Sequence, residues 1–162
     1  MEYVWVLIVT GVLLLLYSAY WRHKARIRFI KTYQFPKAVE QSINQAYPHL
    51  NDDQIALVLD ALRSFFLVAY KAKKKVVAMP SQVVDVAWHQ FILFTKNYQV
   101  FCKKGLGRFL HHTPTEAMRS PTTAQEGIKR AWRLACHLDL INPRLPNKLP
   151  MLFAIDGLLK IE

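Results

Sequence analysis

The sequence predicts an all-α protein, with one N-terminal transmembrane helix followed by a small helical-bundle domain of about five to six helices. An uncharged apolar segment lies near the start of the 162-residue chain, and the apolar residues after it recur at three- and four-residue steps. No alternating strand pattern and no internal repeat is present. We therefore divide the chain into 1–31, a transmembrane anchor with a basic juxtamembrane helix, and 32–162, a cytoplasmic all-α domain.

The predicted anchor is the uncharged stretch from Tyr3 to Trp21. Its 19 residues, at about 1.5 Å each, give roughly 28 Å, close to the hydrocarbon thickness of a bilayer. A cleaved signal peptide fits less well, because no basic residue precedes the segment and Tyr17-Ser18-Ala19 is a poor cleavage site. A buried core helix is the other alternative, but such a helix is rarely apolar on all sides. Aromatic residues stand near both ends, as interfacial belts require: Trp5, Tyr17, Tyr20 and Trp21.

The charge pattern predicts the orientation of this anchor. Basic residues follow the apolar segment directly: Arg22, Lys24, Arg26, Arg28 and Lys31. The positive-inside rule therefore places the N-terminus outside and the C-terminal domain in the cytoplasm, as a single-pass protein of the cell inner membrane. The lipid bilayer is the first predicted partner, and the basic flank is expected to face its surface.

A net charge of +11 often indicates nucleic-acid binding. Here much of the charge lies in the juxtamembrane flank and in the run 71–75, which closes a predicted helix. Zinc-finger spacing, an aromatic ribonucleoprotein signature and a phosphate-binding glycine loop are all missing from the sequence. Nucleic acid is therefore not an expected partner.

Two helices are predicted in the first half of the domain. Phe35-Pro36 can open a short helix that ends near Tyr47-Pro48, since proline suits the first helical position. Asn51 or Asp52 then caps a long helix. Its apolar residues form one stripe that we expect to be buried: Ile55, Leu59, Leu62, Phe66 and Ala69.

Ser81 is the predicted N-cap of the next helix, from Gln82 to about Leu93. Thr95 can cap a further segment, which we expect Gly105 and Gly107 to stop. The stretch 109–121 predicts an irregular connection, broken by Pro114 and Pro121.

The last two helices have their own signals. Thr123–Glu126 is a capping-box pattern that opens a helix through Leu138. Three prolines then mark a rigid loop, and Met151–Leu159 predicts a short final helix.

Polar residues with chemical potential cluster in the middle of the domain. Asp85 and His89 are four residues apart and share a helical face, where a carboxylate can orient an imidazole. Tyr98 and Cys102 have the same spacing in the next segment, and the pair His111-His112 lies in the irregular connection.

Three interpretations of this cluster stay open. In the first, His89, Cys102 and either His111 or His112 bind zinc or another transition metal, with Asp85 as a ligand or as a partner of one. In the second, Asp85, His89, Cys102 and His112 serve a metal- or thiol-dependent enzyme. In the third, the same residues form a buried hydrogen-bonded network, supported by Trp88 and Tyr98 among neighbouring phenylalanines.

The only two cysteines are Cys102 and Cys136, and no Cys-x-x-Cys pattern is present. The predicted cytoplasmic location is reducing, so we expect both thiols to be free.

The pattern Asp85-x-x-Trp88-His89, then Tyr98-x-x-x-Cys102 and His111-His112, resembles the glycine-rich-domain-containing-protein-like family. The resemblance is densest over 79–114, and the tail 149–156 is similar to that of shorter, bacterial-looking members. In plant members the core has the form Trp-His-x-His, but Phe91 takes the place of the second histidine here. The glycine-rich tail implied by the family name is missing. The resemblance implies kinship and no settled enzymatic activity.

Taken together, the sequence predicts a membrane-anchored cytoplasmic binding or scaffold protein. A structural metal or a buried His/Asp/Cys network would support its fold, and another protein at the membrane would be its partner. The alternative is the metal- or thiol-dependent enzyme described above.

Overall fold

The computed structural model describes residues 2–112 and 121–161. These residues form seven α-helices and one π-helical turn, and none of them is in a strand. The all-α prediction is therefore confirmed. The helices are α1 (Glu2–Lys31), α2 (Lys37–Ala46), α3 (Asp52–Lys71), α4 (Gln82–Leu93), α5 (Thr95–Phe101), α6 (Pro121–Leu138) and α7 (Met151–Leu158), and the π-helical turn is Cys102–Leu106.

The first helix, α1, has two different halves. Its most apolar 18-residue window has a mean hydropathy of 2.0, and none of the residues in that window is buried. Among the described residues it is the one helix long and apolar enough to cross a membrane. Burial in the domain core therefore does not account for the apolar surface of this helix.

The second half of α1 packs into the domain. Ile30 is fully buried, and the Phe29 and Phe101 rings lie 5.9 Å apart. Further up the helix, His23 Nδ1 lies 2.9 Å from the Tyr70 hydroxyl at the end of α3. The division at residue 31 stays a prediction, but these contacts fasten the basic extension of α1 to the domain core.

The long helix α3 is the centre of the domain and packs against α1, α2, α4, α6 and α7. Its predicted stripe, Ile55, Leu59, Leu62, Phe66 and Ala69, is buried throughout, which confirms that prediction. Around Phe66 lies an aromatic cluster, with the Phe66 and Phe101 ring centroids 4.6 Å apart and those of Phe35 and Phe91 5.1 Å apart. Burial of such large side chains supplies most of the favourable free energy of folding.

The predicted helix starts were right in two cases. The Asn51 side chain accepts a hydrogen bond from the Gln54 N–H, and the Gln54 side chain accepts one from the Asn51 N–H, which makes a complete capping box. Ser81 caps α4 by accepting a hydrogen bond from the Val84 N–H at 3.2 Å.

Two predicted helix starts were wrong, and one predicted stop was right only for Gly107, which is the left-handed C-cap of the π turn, whereas Gly105 lies within that turn. Thr95 is already helical, and Phe94 occupies the cap position without a side-chain hydrogen bond. Helix α6 already includes Pro121, so Thr123 lies within the helix and not at its cap. Gly105 continues the helix into the π turn, where an added Cβ would lie 3.0 Å from Ile30 Cγ1. Pro114 lies outside the described residues.

The start of α4 is held by a residue from the far end of the chain. Asp156 Oδ1 accepts a 2.6 Å hydrogen bond from the buried Ser81 hydroxyl, and Asp156 Oδ2 accepts a 2.7 Å bond from the Gln82 N–H. A carboxylate at this position pairs N–H groups that have no partner within the helix and favours the positive end of the helix dipole. The helix that carries Asp85 and His89 is thereby fixed to α7.

Substitution of Asp156 with asparagine is expected to lower the free energy of unfolding by about 1–2 kcal/mol, because it removes the charge that caps α4. Denaturant unfolding of the full chain in detergent measures this difference. Asp60→Asn is the matched control, since it neutralises an exposed aspartate whose Arg63 pair contributes little. An equal loss in both variants would contradict a special role for Asp156.

Candidate metal-binding site

Three side chains meet at one end of a surface cleft. Asp85 lies between two imidazoles, with its Oδ2 3.1 Å from His89 Nδ1 and its Oδ1 3.0 Å from His112 Nε2. One ligand atom from each of the three residues lies within 4.8 Å of the other two. The two imidazole rings are themselves close, with centroids 4.1 Å apart. This is the spacing that a small cation needs to contact all three residues.

Helix α4 supplies two of the three residues for a simple geometric reason. Residues four apart in a helix lie one above the other on the same face, so the Asp85 carboxylate meets the His89 ring without any tertiary contact. The third residue, His112, is 27 positions from Asp85. The chain after the π turn must therefore be held accurately for the group to form.

Gly107 ends the π turn in a conformation that favours glycine. Its φ is 72°, and a Cβ added there would lie 1.7 Å from an Arg26 guanidinium nitrogen. The Gly107 N–H closes the turn by donating to the Cys102 carbonyl at 2.8 Å. The next residue, Arg108, donates from Nη2 to the Ala69 carbonyl of α3 at 3.3 Å. These contacts direct the chain back towards α4.

Tyr98 fixes the last part of this connection. Its buried hydroxyl donates to the Leu110 carbonyl and accepts from Trp88 Nε1 at 3.2 Å. The Trp88 ring in turn packs edge-on against His112, with centroids 4.5 Å apart. Burial raises the pKa of the Tyr98 hydroxyl far above its ordinary value, so the group stays protonated and keeps donating. Tyr98 and Trp88 therefore position His112.

The three ligand residues are accessible from solvent to different degrees. The side chains of His89, Asp85 and His112 are 53%, 32% and 14% exposed. They line a cleft of about 480 Å³ between α4, the 74–82 segment and the 108–112 connection. The group is thus open on the cleft side and is not a sealed core network.

Cys102 lies apart from this group. It is buried in the core beside Tyr98 and is not one of the three clustered ligands. Burial raises the pKa of its thiol above the ordinary value, which disfavours the thiolate that a metal or a substrate would need. Cys136 is also buried, and both cysteines are free, as predicted.

The structure distinguishes the two adjacent histidines. His112 joins Asp85, whereas the exposed His111 packs against Phe109 with ring centroids 4.8 Å apart. His111 still lines the same cleft. Sequence alone left the choice between them open, because an irregular connection carries no periodicity from which to read direction.

Phe91, which replaces the second histidine of the plant pattern, is fully buried in the aromatic cluster. It lies two residues after His89, and therefore on the opposite side of α4. The Asp85, His89 and His112 group consequently does not depend on a histidine at that position.

The basic flank of α1 is largely exposed. Lys24 Nζ lies 5.6 Å from the Tyr20 ring centroid, Arg22 donates to the Ser18 carbonyl at 3.3 Å, and Arg28 and Lys31 are exposed. Arg26 departs from this pattern, because it is half-buried beside Gly107.

Two residues with structural importance were missed by sequence reasoning. Asp156 is the single charged residue in α7. A lone carboxylate in an otherwise apolar helix could have predicted a polar partner elsewhere in the fold. Arg108 gave no comparable signal, because its contact with Ala69 joins elements 39 residues apart.

The UCP032817-like family model covers residues 25–162, from the basic half of α1 onwards. The chain belongs to the UCP032817-like family. No curated protein matches the chain, and no solved structure does. The family description names no ligand or reaction, and the likeness to the glycine-rich-domain-containing-protein-like family stays a prediction.

Substitution of Tyr98 with phenylalanine is expected to lower the free energy of unfolding by about 1–3 kcal/mol, because it leaves the buried Leu110 carbonyl and Trp88 N–H without their partner. The same change should accelerate amide hydrogen exchange in residues 107–112. Trp132→Phe is the control, since it removes an exposed hydrogen bond to the Pro143 carbonyl. Unchanged exchange in Tyr98→Phe would show that the hydroxyl does not hold the connection.

Proposed function

We propose that this UCP032817-like protein is a membrane-anchored helical binding protein that holds a divalent transition metal at Asp85, His89 and His112. The observation that carries the proposal is the mutual approach of three ligand atoms to within 4.8 Å at the wall of an open cleft. Two imidazoles and a carboxylate are a donor set that zinc accepts readily, so zinc is the first metal to test.

The number of ligands favours a site that binds something further. Zinc sites with a purely structural role usually have four protein ligands, whereas three ligands leave a position for water or another molecule. His89 is the most exposed of the three residues, which is consistent with access from the cleft. A metal-dependent enzyme is the second candidate function, because it would need the same open position.

The two other interpretations have less support. A buried network would have its polar members inside the core, but His89 is more than half exposed. A thiol enzyme would need a reactive Cys102, but that thiol is buried and its pKa is raised by burial.

The membrane part of the proposal rests on α1. Its apolar half is not buried by any of the described residues, and its basic half follows on one side. We therefore propose a single-pass location in the cell inner membrane, with the N-terminus outside and the helical domain in the cytoplasm. A protein partner at the membrane is part of the same proposal, and nucleic acid is not.

The full chain, purified in detergent and dialysed against zinc, is expected to retain about one metal ion per chain. His112→Ala should lose most of this metal, because two ligands hold zinc much more weakly than three. His111→Ala is the matched control and should retain it, since His111 packs on Phe109 instead. Metal analysis of both variants decides the matter: equal retention in the two would reject His112 as a ligand.

The orientation is tested with a tag on the C-terminus. In right-side-out vesicles the tag is expected to resist added protease, and in inverted vesicles it should be cleaved. A tag cleaved in right-side-out vesicles would reverse the proposed orientation and place the metal site outside the cell.

A further inference from the structure

The cleft beside the three ligand residues has an excess of positive charge. Lys74, Lys75 and Arg108 line it, and Asp85 is the one acidic residue among the lining residues that the structure describes. The Asp85 carboxylate is already in polar contact with two histidines. A bound divalent metal would add two further positive charges. Among the described residues this wall therefore carries more positive than negative charge, which favours an anion.

The rest of the lining strengthens this attraction. Phe65, Trp88 and Leu110 are buried side chains that form part of the wall. Apolar walls exclude water and concentrate the field of nearby charges, so an anion in such a cleft is held more strongly than one on an open surface.

Arg108 is held in place for contact with an anion. Its guanidinium donates to the Ala69 carbonyl at 3.3 Å and to the Phe109 carbonyl at 3.5 Å. These bonds use two of the five N–H donors of a guanidinium. A fixed guanidinium loses little conformational entropy when it binds an oxyanion, and its planar fork matches phosphate oxygens.

We propose that the cleft binds the phosphate group of a phosphate monoester. One phosphate oxygen would take the open position on the metal, while Lys74, Lys75 and Arg108 neutralise the remaining charge. This assignment rests on the proposed metal site for one of its contacts and on the cationic wall for the others. A phosphate monoester suits the cleft better than a carboxylate, because its charge of about −1.5 to −2 matches the larger positive excess.

The cationic wall lies close to the proposed membrane surface. Ala69, the acceptor for Arg108, precedes Tyr70, whose hydroxyl lies 2.9 Å from His23 Nδ1. His23 is two residues beyond Trp21, about 3 Å along the helix axis. The phosphate can therefore come from a lipid headgroup or from a soluble phosphate ester.

Titration calorimetry with inorganic phosphate tests the shared chemistry. The full chain is used in a phosphate-free detergent, both metal-free and zinc-loaded. Saturable binding is expected, tighter in the zinc-loaded form. Lys74→Gln/Lys75→Gln should weaken it by about tenfold or more, since each lost charge-assisted contact costs a large part of the affinity.

Lys103→Gln/Lys104→Gln is the control, because it removes the same charge from exposed lysines of the π turn that do not line the cleft. An equal loss in both double variants would mean general attraction to a basic protein and would overturn the proposal. A zinc-loaded chain that binds no phosphate would overturn it as well. Phosphate binding that depends on Lys74 and Lys75 in a chain that retains no zinc would support the anion site while the metal site fails.

Nanodiscs distinguish the two sources of phosphate. In discs rich in phosphatidic acid, which carries a monoester headgroup, suppression of inorganic phosphate binding relative to phosphatidylcholine discs would assign the cleft to a lipid headgroup. Equal binding in both kinds of disc would assign it to a soluble phosphate ester.

Discussion

The hydroxyl of Tyr98 is the interaction on which the candidate site depends. It joins Trp88 of α4 to the backbone of the connection at Leu110, and both bonds lie in the protein interior. Through it, α4 fixes the backbone two residues before His112, in addition to the contacts that Asp85 and Trp88 make with the His112 ring. In a low-dielectric interior such bonds are costly to break, so they fix the geometry of the more exposed residues above them. The accessible residues Asp85, His89 and His112 are therefore supported by the buried pair Tyr98 and Trp88.

Much of the fold could be predicted from the sequence, because the signals for a helix lie in residues that are close together in the chain. The stripe on α3 and the cap at Ser81 need only residues within one or two turns. Thr95 and Thr123 are already helical, so both helices start earlier in the sequence than we expected. At Gly105 the cause of the error is a neighbour in the fold, because the close approach of Ile30 of α1 matters more there than the conformational freedom of glycine.

The candidate site was readable only in part, for the same physical reason. The pairing of Asp85 with His89 follows from helical spacing and needs no knowledge of the fold. The choice of His112 over His111, and the separation of Cys102 from the group, depend on the π turn and on Gly107. A π turn shifts every later residue relative to an α-helix, which makes the directions of side chains beyond it unreadable from periodicity.

The protein has two chemically distinct surfaces that the fold brings near each other. The apolar half of α1 is unburied in the described structure, and the described lining of the cleft carries more positive than negative charge. Their connection runs through His23, Tyr70 and Arg108, each of which makes a hydrogen bond between elements far apart in sequence.

The continuity of α1 has a mechanical consequence. Its 30 residues form one continuous helix of about 45 Å, and its C-terminal end is buried in the aromatic core at Ile30. No break in the helix separates the apolar half of α1 from the half that packs into the domain. In the proposed single-pass arrangement, a thinner or thicker bilayer that tilts α1 would tilt the whole helical domain with it, so bilayer thickness would determine how far the mouth of the cleft stands from the lipid.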